Sequence, residues 1–141
     1  MDYLEYYKLK EHPFSNVVDN RFYYDSPQHS GAMVKLKHAI DSKRGLAVVI
    51  GDIGSGKTTL ARMLLEDLDE SLYEAALLVI IHSSVSSEWL LKKFALQLGI
   101  ADASDIKVEL LSQIYKRLSD IHENGKTAVV MMDEVQMLKS R

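Results

Sequence analysis

A chain of 141 residues that is 47% hydrophobic is long enough for one globular unit that buries roughly two thirds of the surface exposed by its unfolded form. Seventeen basic against twenty acidic residues give a formal charge of −3, which excludes the overall basic footprint of a dedicated nucleic-acid binder. The absence of cysteine excludes a disulfide framework or thiolate zinc site and suits a reducing cytoplasm, and the longest apolar run, the seven residues Ala75–Ile81, falls far short of the roughly 20 that span a bilayer.

The start, Met1-Asp2-Tyr3-Leu4-Glu5, lacks the basic and apolar blocks of a secretory signal, so a soluble cytoplasmic protein is expected. Residues 1–25 hold Tyr3, Tyr6, Tyr7, Phe14, Phe22, Tyr23 and Tyr24 without periodicity and read as an aromatic arm with short structure of its own. Ser26-Pro27 is the signature of an N-cap followed by proline at the first helical position. Met33, Leu36 and Ile40 then form a stripe that ends near Gly45.

Leu46–Ile50 is a β-branched apolar run between glycines, which predicts a strand buried on both faces. Residues 56–68 carry Leu60, Leu64 and Leu68 at spacings of four, predicting a helix with one buried stripe. Ala75–Ile81 predicts a second buried strand. Ser86 or Ser87 caps a helix carrying Leu91, Phe94 and Leu98 that stops at Gly99. Ser104 opens another helix, with Ile106, Leu110, Ile114, Leu118 and Ile121 on one face and Asn124-Gly125 at its end. Thr127–Met132 predicts a third strand running into Asp133-Glu134. Strands separated by helices imply parallel pairing, hence an α/β/α three-layer domain with a mostly parallel sheet.

Gly51-Asp52-Ile53-Gly54-Ser55-Gly56-Lys57-Thr58 matches G-x-x-x-x-G-K-[ST], the phosphate-binding loop known as Walker A. Its setting between an apolar strand and a helix lets backbone N–H groups and the positive helix end converge on phosphate oxygens. ATP with magnesium is the expected ligand. Lys57 would bridge the β- and γ-phosphates and the Thr58 hydroxyl would ligate Mg2+; Thr59 adjoins them and is equally read as helix surface or packing. The plain alternative is a glycine-rich turn without a ligand. Asp133 and Glu134 close the third strand as a Walker B element and should face the same crevice as the loop. Asp133 would hold magnesium through water, and Glu134 would act as general base on the attacking water. An acidic loop start that merely ends a strand is the bland reading of this pair.

His12, His29, His38, His82 and His122 show no metal-ligand spacing. His82 follows the second strand, where contact with Glu134 or nucleotide competes with a plain surface role. Lys43-Arg44 and Lys92-Lys93 read as solvated faces and Trp89 as a packing residue.

With Tyr6-Tyr7-Lys8-Leu9-Lys10-Glu11-His12-Pro13-Phe14, Ser26-Pro27-Gln28-His29, the phosphate loop and Asp133-Glu134-Val135-Gln136 in view, nearly the whole chain resembles the N-terminal part of the ExeA-type AAA+ ATPases, a group similar in turn to the TniC and MuB transposition ATPases. The resemblance implies an AAA+ P-loop core at 26–141 behind the arm at 1–25. The implied activity is hydrolysis of ATP to ADP and phosphate, coupled to assembly with partners. These would be a homo-oligomer in the full-length form, a protein partner in secretion or pilus systems, or DNA in transposition. It also places Phe14 near the base of the nucleotide, against the alternative of an anchor for the arm. A nucleotide-dependent binding module with little turnover and a small P-loop kinase are the competing readings.

Val135 and Met137 depart from the alanine and asparagine frequent in that group. The chain also reaches Arg141 before the sensor strand, arginine finger and lid, so the core is expected to be incomplete at its C-terminus. In the AAA+ sheet order 5-1-4-3-2 the fourth strand lies between the first and third, and its absence would leave a gap or unpaired edge beside the phosphate-loop strand.

Overall fold

The computed structural model describes residues 2–13 and 19–138; Phe14 lies outside the described residues. The chain forms two compact units, Met1–Leu60 and Ala61–Arg141.

In the first unit, α1 (Tyr3–Tyr7) is a single short helix capped by the Asp2 carboxylate and closed by Lys8 in the left-handed region at φ 53°. Tyr6 and Tyr7 pack edge to face at 4.8 Å, and Tyr3 Oη bonds His12 Nδ1 at 2.6 Å. A 3₁₀ turn at Asn20–Phe22 follows, where the Arg21 guanidinium reaches Asp19 at 2.6 Å and Glu11 at 3.1 Å and holds the Asp19 carboxyl below its ordinary range. The arm thus has the short structure its composition implies.

Helix α2 (Pro27–Asp41) starts where the Ser-Pro signature puts it. Ser26 Oγ accepts from the His29 N–H at 3.3 Å, and Pro27 occupies the first turn. Its apolar stripe, Met33, Leu36 and Ile40, is half-buried. The helix ends short of Gly45, at Asp41, where Lys43 turns left-handed at φ 50° and the Arg44 N–H bonds back to the Ala39 carbonyl at 2.9 Å.

The strand expected at Leu46–Ile50 does not form. These five residues are exposed and without ladder pairing among the described residues, with Ile50 at 92% exposure. A parallel strand is buried where other elements cover both its faces, and these residues, exposed throughout, have neither that cover nor a ladder partner among the described residues. Apolar composition alone cannot substitute for either.

Helix α3 (Lys57–Asp67) begins at the end of the glycine loop and crosses the boundary between the units. Leu60 and Leu64 are buried at 3% exposure, with Leu68 half-buried one turn on, as the spacing of four requires.

The second unit is a parallel two-stranded sheet with helices packed on it. β1 (Tyr73–Val79) and β2 (Thr127–Asp133) run in register from Tyr73 opposite Thr127 to Val79 opposite Asp133. The pairing is the one expected of neighbouring second and third strands. β1 sits two residues earlier than the apolar run suggests: the Asp69 carbonyl accepts from both the Leu72 and Tyr73 N–H groups, a turn that leads from the end of α3 into the strand at Tyr73.

Helix α4 (Ser87–Gln97) is capped by Ser86 Oγ on the Trp89 N–H at 3.1 Å and stops at Gly99. Helix α5 (Lys107–Glu123) opens three residues later than Ser104 suggests. The Ser104 hydroxyl accepts from the Ile106 N–H at 3.1 Å and donates to Glu109 at 2.7 Å, a local turn that competes with an N-cap. The helices α4 and α5 pack on each other, on β1 and on β2 respectively. Ala95, Leu110 and Ile114 form the cluster at their interface, flanked by Leu91, Phe94 and Leu118. Ala95 has no exposed surface, so its small side chain sets how closely the two helices approach.

At the amino end of the sheet Glu74 is held by the Arg117 guanidinium from α5 and by Lys126 at 3.9 Å. Arg117 also donates through Nε to the Leu98 carbonyl at 2.8 Å, tying the end of α4 to the same point. Among the described residues no helix is long and apolar enough to cross a membrane.

Candidate functional site

The loop from Gly51 to Gly56 is shaped by its own backbone and by two side chains. Gly54 and Gly56 stand at φ 77° and 87°, a region that costs an L-residue roughly 1–2 kcal/mol. At Gly51 a Cβ would lie 2.8 Å from Ser55 Oγ, a contact that rotation of the Ser55 side chain would relieve. Within the loop the Ser55 N–H donates to the Asp52 carbonyl at 3.2 Å. Ile53 at the tip is fully exposed.

Lys57, the first residue of α3, folds back over the loop. Its Nζ donates to the carbonyls of Gly51 at 2.9 Å and Asp52 at 2.8 Å. An ammonium group therefore stands over a turn whose positive-φ glycines and following helix end offer N–H groups to an anion. Thr58 and Thr59 occupy the next two positions of α3 and are half-buried.

A further residue of the first unit reaches this loop. His29, in the first turn of α2, places Nε2 2.8 Å from the Ser55 carbonyl. Its Nδ1 is 2.6 Å from Ser26 Oγ, and its ring meets Tyr23 edge to face at 5.9 Å. Tyr23 in turn donates to Asp25 at 3.2 Å, which also accepts from Ser30 Oγ at 2.6 Å. The sequence alone gives His29 no metal-ligand spacing and a place in the Ser26-Pro27-Gln28-His29 segment, but no contact with the loop. The available signal was its position three residues after the Ser26 cap, where a capping-box glutamate or glutamine usually sits.

In the second unit, the parallel ladder brings Asp133 to the carboxyl edge of the sheet, where its carbonyl accepts the Ile80 N–H at 3.1 Å. Glu134 then turns left-handed at φ 57°, with its N–H donated to Asp133 Oδ1 at 2.9 Å. Its carboxylate accepts from the Gln136 amide, within a 3₁₀ turn over Val135–Met137. Lys8 and Lys43, the other described non-glycine residues at positive φ, both close helices. Glu134 alone among them sits at a strand end, and strain held at such a position is a mark of sites that chemistry uses. Asp133 and Glu134 are both half-buried. His82 lies at the same sheet edge, but its ring is engaged by Ser84 Oγ at 3.0 Å and by Trp89 rather than by Glu134.

Comparison with known proteins identifies the family. Residues 40–141 match the AAA domain family. The chain belongs to that family. Its α/β organisation, with a parallel sheet carrying helices, is accordingly that of a P-loop NTPase, and the AAA domain is a nucleotide-binding module. The chain is also similar to general secretion pathway protein A of Aeromonas hydrophila, with 28% identity over 137 residues, covering 96% of this chain and 24% of that protein. It therefore spans about a quarter of the length of this curated relative. No solved structure gives a significant match.

Proposed function

We propose that this AAA domain binds ATP with magnesium through Gly51–Thr58 and supports its hydrolysis to ADP and phosphate. The observation that carries the reading is the Lys57 ammonium folded over a loop with positive-φ glycines at 54 and 56. The two carbonyls that hold Lys57 are weaker partners than phosphate oxygens, which form charge-assisted bonds with an ammonium group. Incoming β- and γ-phosphates would therefore take over this cation, while backbone N–H groups from Ile53 to Thr58 cradle the remaining oxygens. Thr59 and the Asp52 backbone complete the candidate contacts, and Phe14 is the candidate neighbour of the base.

The Thr58 hydroxyl of the first unit and the Asp133 carboxylate of the second are each hard oxygen donors of the kind magnesium prefers. Magnesium bound with the nucleotide would neutralise charge developing on the phosphate oxygens. The Glu134 carboxylate is the group to accept a proton from the attacking water. Its hydrogen bond from Gln136 supports a fixed orientation of that carboxylate.

The aromatic arm at 1–25 and the core at 26–141 form the domain organisation of this reading. Similarity to general secretion pathway protein A supports a place in a secretion system, where this reading couples nucleotide state to assembly with protein partners and with further copies of the protein. Isothermal titration with a non-hydrolysable ATP analogue and Mg2+ tests the central claim. Saturable binding that is lost in Lys57→Ala is expected, and equal binding by the two proteins would remove the loop from the site.

A further inference from the structure

We infer that His29 is a positioning residue for the phosphate loop, setting the direction of the Ser55–Gly56 peptide so that its N–H faces phosphate. The inference rests on the ATP reading of the loop and adds a residue from outside the P-loop motif. The Ser55 carbonyl accepts from His29 Nε2 at 2.8 Å. In a trans peptide the carbonyl and the N–H point in opposite directions, so the Gly56 N–H points away from His29. Gly56 sits at φ 87°, where a glycine has little steric preference between peptide orientations. The His29 bond supplies the preference that the residue itself lacks. Polarising the carbonyl also strengthens the N–H of the same peptide as a donor.

The histidine is itself fixed. Nδ1 lies 2.6 Å from Ser26 Oγ, whose oxygen accepts the His29 backbone N–H at 3.3 Å. The Ser55 carbonyl can only accept, so Nε2 carries the proton, and in the neutral ring Nδ1 then accepts from the Ser26 hydroxyl. Tyr23 braces the ring from the side. The fit is close enough that a Cβ on Gly56 would come within 2.9 Å of Nε2, so glycine at this position serves the histidine contact as well as the backbone turn.

Because the effect falls on phosphate and not on the base, His29→Ala should weaken an ATP analogue and inorganic triphosphate equally, by about 3- to 10-fold, the worth of one hydrogen bond. His29→Gln, whose amide nitrogen reaches the place of Nε2, should recover most of the loss. Equal binding by His29→Ala and wild type overturns the inference, as does a loss that glutamine fails to repair. Failure of the wild-type protein to bind either ligand would instead sink the ATP reading and this role with it. Should His29→Ala not fold, proton–nitrogen correlation spectra of the wild-type ring decide. An Nε2–H tautomer whose signal shifts with inorganic triphosphate is expected, and an Nδ1–H tautomer or an unmoved signal overturns the assignment.

Discussion

Lys57 Nζ lies 2.9 Å from the carbonyl oxygen of Gly51, six residues earlier in the chain. The side chain that defines the loop's charge is thus held by the loop itself, at the position from which phosphate would be met. Lys57→Ala removes a charge-assisted partner and should reduce affinity for a magnesium–ATP analogue by about 10- to 100-fold. Titration calorimetry checks this, with circular dichroism to verify that the variant is folded.

Glu134→Gln tests the other end of the proposed chemistry. The amide cannot take a proton from water, so hydrolysis should fall by about 10²- to 10⁴-fold while analogue binding is unchanged. Phosphate release under saturating ATP is the measurement, made in whichever form of the protein shows turnover. Undiminished release in the variant excludes Glu134 as the base.

The Arg117 bridge gives a stability prediction independent of nucleotide. Arg117→Ala deprives both the Glu74 carboxylate and the Leu98 carbonyl of a donor. Both side chains of the pair are about a quarter to a third exposed, so solvent and Lys126 soften the loss to about 1–2 kcal/mol. Arg117→Lys should recover only part, because an ammonium group cannot present a planar fork to two acceptors at once. Urea denaturation of the three proteins measures the order.

Leu110→Ala should be the more severe change. Leu110 is 2% exposed and packs with Ala95 and Ile114 between α4 and α5, and a cavity at such a site costs about 2–5 kcal/mol. A shift in the denaturation midpoint without a change in slope is the expected signature.

Much of this was legible in the sequence because it is set by neighbours along the chain. The Ser26 and Ser86 caps, the stop at Gly99 and the buried stripe of Leu60 and Leu64 depend on contacts within one or two turns. The strands from 73 and 127 were recognisable from their apolar runs. What local pattern could not reveal was pairing at a distance. Leu46–Ile50 has the composition of a buried strand, yet burial is conferred by elements packed over a strand's faces, which the segment itself does not contain. Ser104 has the identity of a cap but spends its hydroxyl on a turn. In the candidate site the glycines, Lys57 and Asp133-Glu134 followed from residue type and spacing. His29 did not, since its bond to Ser55 spans 26 residues.

The clamp on Glu74 has a consequence for how the sheet tolerates change. Arg117 and Lys126 pin the amino ends of the strands, while Asp133 and Glu134 belong to the carboxyl ends. A slip of one residue between β1 and β2 would turn every side chain of the slipped strand to the opposite face, and the charges at Glu74 oppose such a slip from the far edge. Alignment is anchored at one rim, and Asp133 and Glu134 occupy the other. Replacements among residues 134–138 should leave the strand pairing undisturbed, whereas a change at Glu74 should loosen it along its whole length.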